Sequence, residues 1–338
     1  MTEALKQLEV VKVIVFGGTG AQGLSIVKAL APYTRYELSI LTRDPGSQKA
    51  IEVRNKYDVR LIAGSYATEG GLRTAFKDQD VCYFNIDSFA VGEPQEYFWT
   101  FRAYEIAIQS QLKLFIYTGS GRDRLADHGF AEAYRNSHNV VSSRLSQWLA
   151  TQSVERLPWS IVHGGVYAEM LNTLLRPVKD EQGIRFAPPV NKDSVIPLIP
   201  LEMYGIRVRW ILENPEKSIG KRLSAASFHV TFPEIAAAFS KVNSVAARFE
   251  PSTIDEWMSK ASASIPVDDT LPRGSSKDDP TTFTFRKSFT AWWNLWRDSL
   301  EDMKEAEEAD RWADEYYPER LKTIEEWMRM SNYGSSLS

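Results

Sequence analysis

Two rhythms of apolar and polar positions alternate along the first half of the chain. Short runs of consecutive apolar, mostly β-branched or aromatic residues fall at 10–16, 37–42, 59–63, 80–85, 113–118 and 159–163. Their length and composition predict strands buried on both faces. Between them lie segments whose apolar residues recur every three or four positions, which predicts helices over 24–30, 48–56, 70–76, 94–109 and 137–151. Strand and helix in strict alternation predict an α/β fold, a Rossmann-type doubly wound parallel sheet. Ligands in such sheets bind outside the carboxyl ends of the strands, so the loops after Phe16, Thr42, Ala63, Asn85 and Thr118 are expected to form one rim.

Past Gly165 the rhythm loosens. Prolines stand at 188, 189, 197 and 200, a short strand-helix unit is predicted over 221–239, and helices are expected over 285–310 and 318–330. Residues 262–282, rich in Pro, Gly, Ser and Asp, read as a mobile surface loop or lid. The chain therefore divides into a first lobe, 1–165, and a smaller mixed lobe, 166–338, with the two interleaved. Trp292, Trp293, Trp296, Trp312 and Trp327 sit on the late helices. Most belong in a core and one or two in a substrate wall.

The first strand ends in a distinctive turn. VKVIVFGGTGAQG places Gly17, Gly20 and Gly23 three apart between strand and helix, with Thr19, Ala21 and Gln22 among them. One glycine permits the tight turn, one lets the backbone approach a pyrophosphate, and one lets helix pack on strand, while free N–H groups at the helix start face the phosphates. The end of the next strand selects the cofactor. A carboxylate there accepts the ribose 2′-hydroxyl of NAD, and a guanidinium clamps the 2′-phosphate of NADP. Arg43 occupies that place, with Asp44 directly after it, so NADP is expected. Asn85 and Asp87 at the fourth strand, and Thr118 at the fifth, complete the cofactor rim.

Composition narrows the partners. With 40 Lys and Arg against 44 Asp and Glu, the net charge of −4 carries no footprint for nucleic acid or for an anionic membrane. No apolar run approaches the roughly 18 residues needed to span a bilayer, and a cytoplasmic protein, monomeric or homodimeric, acting on a small-molecule substrate is expected. A single cysteine, Cys82, excludes an internal disulfide, and four scattered histidines with it offer no metal-ligand spacing.

GGTGAQG, LTRDP, LPWSIVHGGVYAEML, the long stretch from IPLIPLEMYG to KRLSAAS, and PERLKTIEEWM together resemble the NmrA-like group of atypical short-chain dehydrogenases, its fungal members in particular. The resemblance covers nearly the whole chain. It implies a nicotinamide cofactor, with Gly165 and Val166 beside it, and either a reductase of secondary metabolism or an NADP-sensing regulator without turnover. Ordinary short-chain dehydrogenases carry a Tyr four residues before a Lys on the helix after the fifth strand. NmrA-like proteins usually have His for the Tyr and keep the Lys. The resemblance puts His138 and Ser142 at those positions, so the lysine is missing here.

A serine cannot depress a neighbouring pKa by charge, and ketone reduction needs a donor for the developing alkoxide. Reduction of an imine, iminium or conjugated bond relies more on orientation. An NADPH-dependent oxidoreductase acting on a bulky aromatic substrate of such a kind is therefore expected, and the resemblance admits coupled ring formation, as in alkaloid biosynthesis. Ser120 after the fifth strand, Tyr167 in GGVYAEM and Tyr134, one turn before His138, are further candidate donors.

Overall fold

The computed structural model describes residues 5–119, 124–263, 265–272, 275–298 and 303–335. The six expected strands are present as β1 (Val11–Phe16), β2 (Tyr36–Thr42), β3 (Arg60–Ala63), β4 (Val81–Phe84), β5 (Leu114–Thr118) and β6 (Trp159–His163). A seventh strand, Arg222–Ser224, joins β6, and the sheet runs Arg222–Ser224, β6, β5, β4, β1, β2, β3. All of its pairings are parallel.

Because successive side chains of a strand point to opposite faces, β1 builds two cores at once. Val11, Val13 and Val15 meet the helices Ala21–Leu30 and Leu201–Glu213 on one side. Ile14 and Phe16 meet Glu69–Phe76 and Glu93–Gln109 on the other. The later half of the chain thus returns to the first lobe. Helix Leu201–Glu213 lies so close to Ala21–Leu30 that a Cβ on Gly205 would stand 2.2 Å from the Ser25 carbonyl oxygen.

The second lobe has its own core, which includes Phe186, Phe232, Phe239, Trp257, Trp293 and Trp327. Two three-stranded sheets frame it, one of Phe228–Thr231, Val195–Ile199 and Val166–Tyr167, the other of Ala247–Phe249, Gly183–Phe186 and Val178–Asp180. Three of its helices start with reciprocal caps, Thr231 with Glu234, Thr253 with Glu256, and Thr323 with Glu326. In each, the threonine oxygen accepts a helical N–H while the glutamate accepts the threonine N–H.

Two expectations are corrected. Helix 318–330 shortens to Ile324–Met330, where the Thr323 cap fixes its start, while the expected helix 285–310 is described over Phe285–Asp298 and from Met303 onward, with 299–302 outside the described residues. The presumed loop 262–282 is partly built into the fold. Thr270–Leu271 pairs with Phe283–Thr284, Val267 and Thr270 are buried, and Pro272 packs against Gly92, whose φ of +74° permits that approach. The polar composition misled because a few buried side chains suffice to anchor such an arm.

Candidate functional site

The carboxyl ends of β1 to β6 open into one cavity of about 820 Å³. Its lining takes in all five nominated loops, and continues past them to Tyr167, His229, Phe289, Trp292 and Trp296 of the later half.

The glycine turn is built by three different constraints. Gly17 holds φ at +68° and its carbonyl oxygen accepts the Gly20 N–H at 2.8 Å. At Gly23 a Cβ would fall 2.2 Å from the Gly17 oxygen, so only glycine lets helix and strand close up. Gly20 is the N-cap of Ala21–Leu30 and provides no side-chain cap, which leaves the first N–H groups of that helix facing the cavity with Thr19, Ala21 and Gln22. Gly23 itself is buried behind the turn and does not line the cavity.

Beneath the turn lies a polar network that sequence patterning missed. Tyr83 and Thr118 hydroxyls donate to Gln22 Oε1 at 3.2 and 3.1 Å, and Tyr204 Oη sits 3.0 Å from Tyr83 Oη and 2.9 Å from Thr118 Oγ1. With Oε1 engaged by two donors, the Gln22 amide nitrogen is left for a ligand. Burial pushes the Tyr204 phenol up to about 12 and that of Tyr83 well above its usual value. The network is therefore uncharged across the physiological range.

Arg43 is the first residue past β2, exposed on the cavity rim and without an ion-pair partner among the described residues. Asp44 beside it also lines the cavity, and its Oδ1 accepts the Gly46 N–H at 2.9 Å within its own turn. Asn85 and Asp87 both line the cavity, and Asp87 also caps the short helix Ser88–Val91 through the Phe89 N–H at 3.0 Å. Gly165 and Val166 reach the cavity from the strand start, where a Cβ on Gly165 would lie 1.8 Å from the Pro197 oxygen. These glycines, donors and the Arg43 guanidinium fit a dinucleotide with a 2′-phosphate.

At the other end the walls are rings. His138 packs against Phe89, Phe289 and Trp292 at centroid distances of 5.2, 6.0 and 6.3 Å. Its Nδ1 has no hydrogen-bond partner, and burial pushes its pKa down to about 4. It is a neutral imidazole at pH 7. Ser142 shares the cavity wall, but its hydroxyl donates back to the His138 and Asn139 carbonyls at 3.0 and 3.2 Å. Tyr167 lines the same end, its phenol pushed up by burial, by Tyr204 and by Glu169. His163 and His229 join His138 in this cavity, although the four histidines are scattered in sequence. Among the described residues no group of three His, Cys, Asp or Glu is placed to hold a metal.

Tyr134 is placed elsewhere. It stacks on His128 at 4.1 Å and donates to Asp298 at 3.3 Å, outside the cavity lining, because a 3₁₀ turn at Glu132–Tyr134 separates it from helix Ser137–Ala150. The helical spacing assumed for it does not extend that far. Ser120 lies outside the described residues. One more group escaped the sequence reading: Glu96 lines the cavity while only 4% exposed.

No helix among the described residues is long and apolar enough to cross a membrane. A protein of Dictyostelium discoideum described as NmrA-like family domain-containing is 24% identical over 239 residues, 68% of this chain and 77% of its own length. Among solved structures, NmrA, a negative transcriptional regulator, superposes with a TM-score of 0.69 at 14% identity, covering 97% of this chain and 99% of its own. Triphenylmethane reductase of Citrobacter sp., complexed with NADP(H), gives 0.64 at 15%, covering 95% and 99%. At these identities the likeness is one of fold. Residues 9–118, the segment that carries the glycine turn, Arg43 and Asn85, match the NmrA-like family.

Proposed function

We propose that the protein is an NADPH-dependent reductase that transfers hydride to an imine, iminium or conjugated bond of a bulky aromatic molecule, in the manner of secondary-metabolism reductases. The observation that carries this reading is a single cavity with phosphate-binding features at one end and Phe89, Phe289, Trp292 and Trp296 at the other. Triphenylmethane reductase, similar in fold, is complexed with NADP(H), and its name denotes a polyaromatic substrate.

Bound NADPH supplies a hydride. Backbone N–H groups after Gly20, with the Gln22 amide, hold the pyrophosphate, and Arg43 clamps the 2′-phosphate. His138, neutral and ring-packed, positions substrate and contributes at most a neutral hydrogen bond. Ser142 holds its helix rather than a ribose. Neither offers the charged acid that ketone reduction needs, whereas a cationic substrate C=N accepts hydride without one, and face-to-ring contact with a cation is itself favourable. An aromatic wall that folds an extended substrate can also template ring closure.

The test is single-turnover oxidation of NADPH by the purified chain with matched cyclic iminium and ketone substrates. Faster consumption of the iminium by a hundredfold or more supports the reading, and preference for the ketone overturns it. Comparing metabolites of a deletion strain with its parent identifies the natural substrate.

A second reading, an NADP-sensing regulator, draws on Phe98 and Phe101, 54% and 39% exposed on helix Glu93–Gln109. Such rings suit a partner surface. Partner capture that depends on NADP redox state, with no turnover on any aromatic substrate, favours it.

A further inference from the structure

We propose that Glu96 reads the adenine base of the bound nucleotide as a neutral carboxylic acid, and that its ionisation weakens nucleotide binding. This deepens the NADP reading and rests on it.

Glu96 lies in the second turn of helix Glu93–Gln109, on the face turned to the sheet, and lines the cavity near Tyr66, Ser88 and Tyr117. Its Oε2 is buried with no hydrogen-bond partner, and its one side-chain contact is the Ser88 hydroxyl. The charged groups that act on it are both acids, Asp87 ahead of the short helix and Glu93 one turn back. Cations nearby serve Glu93 instead, Arg135 at 2.5 Å and Arg144 at 3.5 Å. Tyr97 on the same helix, Tyr117 on β5 and Tyr66 after β3 complete the titratable surroundings, and all three feel the Glu96 charge. A carboxylate so placed is costly to ionise, and burial first, then Asp87 and Glu93, push its pKa up to about 8 against the Ser88 hydrogen bond.

Its position assigns the ligand atom. Arg43 stands at the 2′-phosphate end of the proposed nucleotide, and in that nucleotide the carbon bearing the 2′-phosphate is bonded to the carbon bearing the base. The base therefore lies beside Arg43. Tyr66 follows β3, the strand beside β2 and its Arg43, and packs in one core with Tyr97, the residue after Glu96. The helix that begins at Glu69 is tied to helix Glu93–Gln109 by Arg102 and Glu69 at 2.8 Å, so Glu96 lines the cavity on this same side. A neutral carboxyl offers one donor and one acceptor, the complement of the adenine edge, where N6 donates and the adjoining ring nitrogen accepts. Ionised, it offers acceptors only, and adds negative charge to a cavity that must take phosphates. A buried carboxyl perturbed in this way inside a cleft is a candidate functional group.

The probe is 2′,5′-ADP, adenosine bearing both phosphates without nicotinamide, titrated by calorimetry into the full chain from pH 7 to pH 9.5. Phosphate oxygens titrate near pH 6 and stay out of this window. Wild-type Kd is expected to hold steady near pH 7 and to rise by about tenfold per pH unit once above about 8. Glu96→Gln keeps one donor and one acceptor and cannot ionise. It should bind within threefold of wild type at pH 7 and show no pH dependence. Glu96→Leu should bind about tenfold more weakly at every pH. A flat wild-type profile, a Gln variant that follows the wild-type decline, or a Leu variant that binds like wild type overturns the proposal and leaves the NADP reading intact. Failure of wild type to bind 2′,5′-ADP at any pH brings down both.

Discussion

At the Arg43 end of the cavity the chain presents backbone N–H groups, a guanidinium and a neutral carboxyl, while at the His138 end it presents aromatic faces, the uncharged His138 imidazole and the Arg124 guanidinium stacked over Trp296 at 4.8 Å. The first end is made of directional groups, and a ligand there is recognised atom by atom. The second end buries area with little directional demand, so it orients a flat molecule without specifying its heteroatoms. On the proposed function, specificity for the nucleotide and tolerance towards the substrate follow from the same molecule having both. Substitutions at the first end should therefore act on nucleotide affinity in large steps, and at the second end on turnover in small ones.

The largest step is expected at the turn. Gly20→Val places a branched side chain where the pyrophosphate meets the backbone, and NADPH affinity measured by calorimetry should fall a thousandfold or more, with a melting temperature close to that of wild type. Wild-type affinity in a folded Gly20→Val chain breaks the comparison at its root. Next comes stability at Glu96. In the unfolded chain this carboxyl ionises near 4.5, whereas the fold holds its proton to about 8, so between those values the native state binds the extra proton. Stability then falls with rising pH through that window, at about 1.4 kcal/mol per unit for one such group, and levels off above it. Glu96→Gln removes the penalty. It should gain on the order of 4 kcal/mol in urea unfolding at pH 8 and almost nothing at pH 4. An equal gain at both pH values would mean packing rather than ionisation.

Arg43→Ala follows, with NADPH binding weakened by about 30-fold, the range of a charge-assisted contact, and NADH binding unchanged within twofold. Equal weakening of both cofactors would remove the 2′-phosphate from Arg43. The smallest effect is expected at His138. Because its imidazole stays neutral down to about pH 4, His138→Ala should lower turnover of an iminium substrate by less than tenfold and leave the pH–rate profile without a limb near 6.5. A thousandfold loss with NADPH binding intact would make His138 an essential donor, and the two ends of the cavity would no longer differ in kind.

The nucleotide end was legible because its parts are local. Gly17, Gly20 and Gly23 lie within one turn, and Arg43 is found by counting to the end of the next strand. Glu96 was not legible. EPQEYF reads as an acidic helix start, and nothing in it separates Glu93, which meets two arginines, from Glu96, which meets none. Helical spacing put Trp292 and Trp296 on one face, yet which neighbour that face meets depends on where Phe285–Asp298 docks. Tyr204 joins Tyr83 across 121 positions, a separation no periodicity reports. Helix Ile254–Ala261 was missed although TIDE spells a capping box, as TFPE and TIEE do for their helices, so those starts could have been found.

Contact between Gly205 and Ser25, with Tyr204 closing the hydroxyl network under the turn, bears on how the protein is made. Segment 9–118 holds the glycines and the arginine, but one flank of its phosphate-facing helix is supplied by residues 201–213. During synthesis the turn therefore waits for almost a hundred further residues to leave the ribosome before its support arrives. Cut at residue 118, the first segment would leave that flank of the helix uncovered. Exchange between relatives has to carry the late helix along with the early glycines.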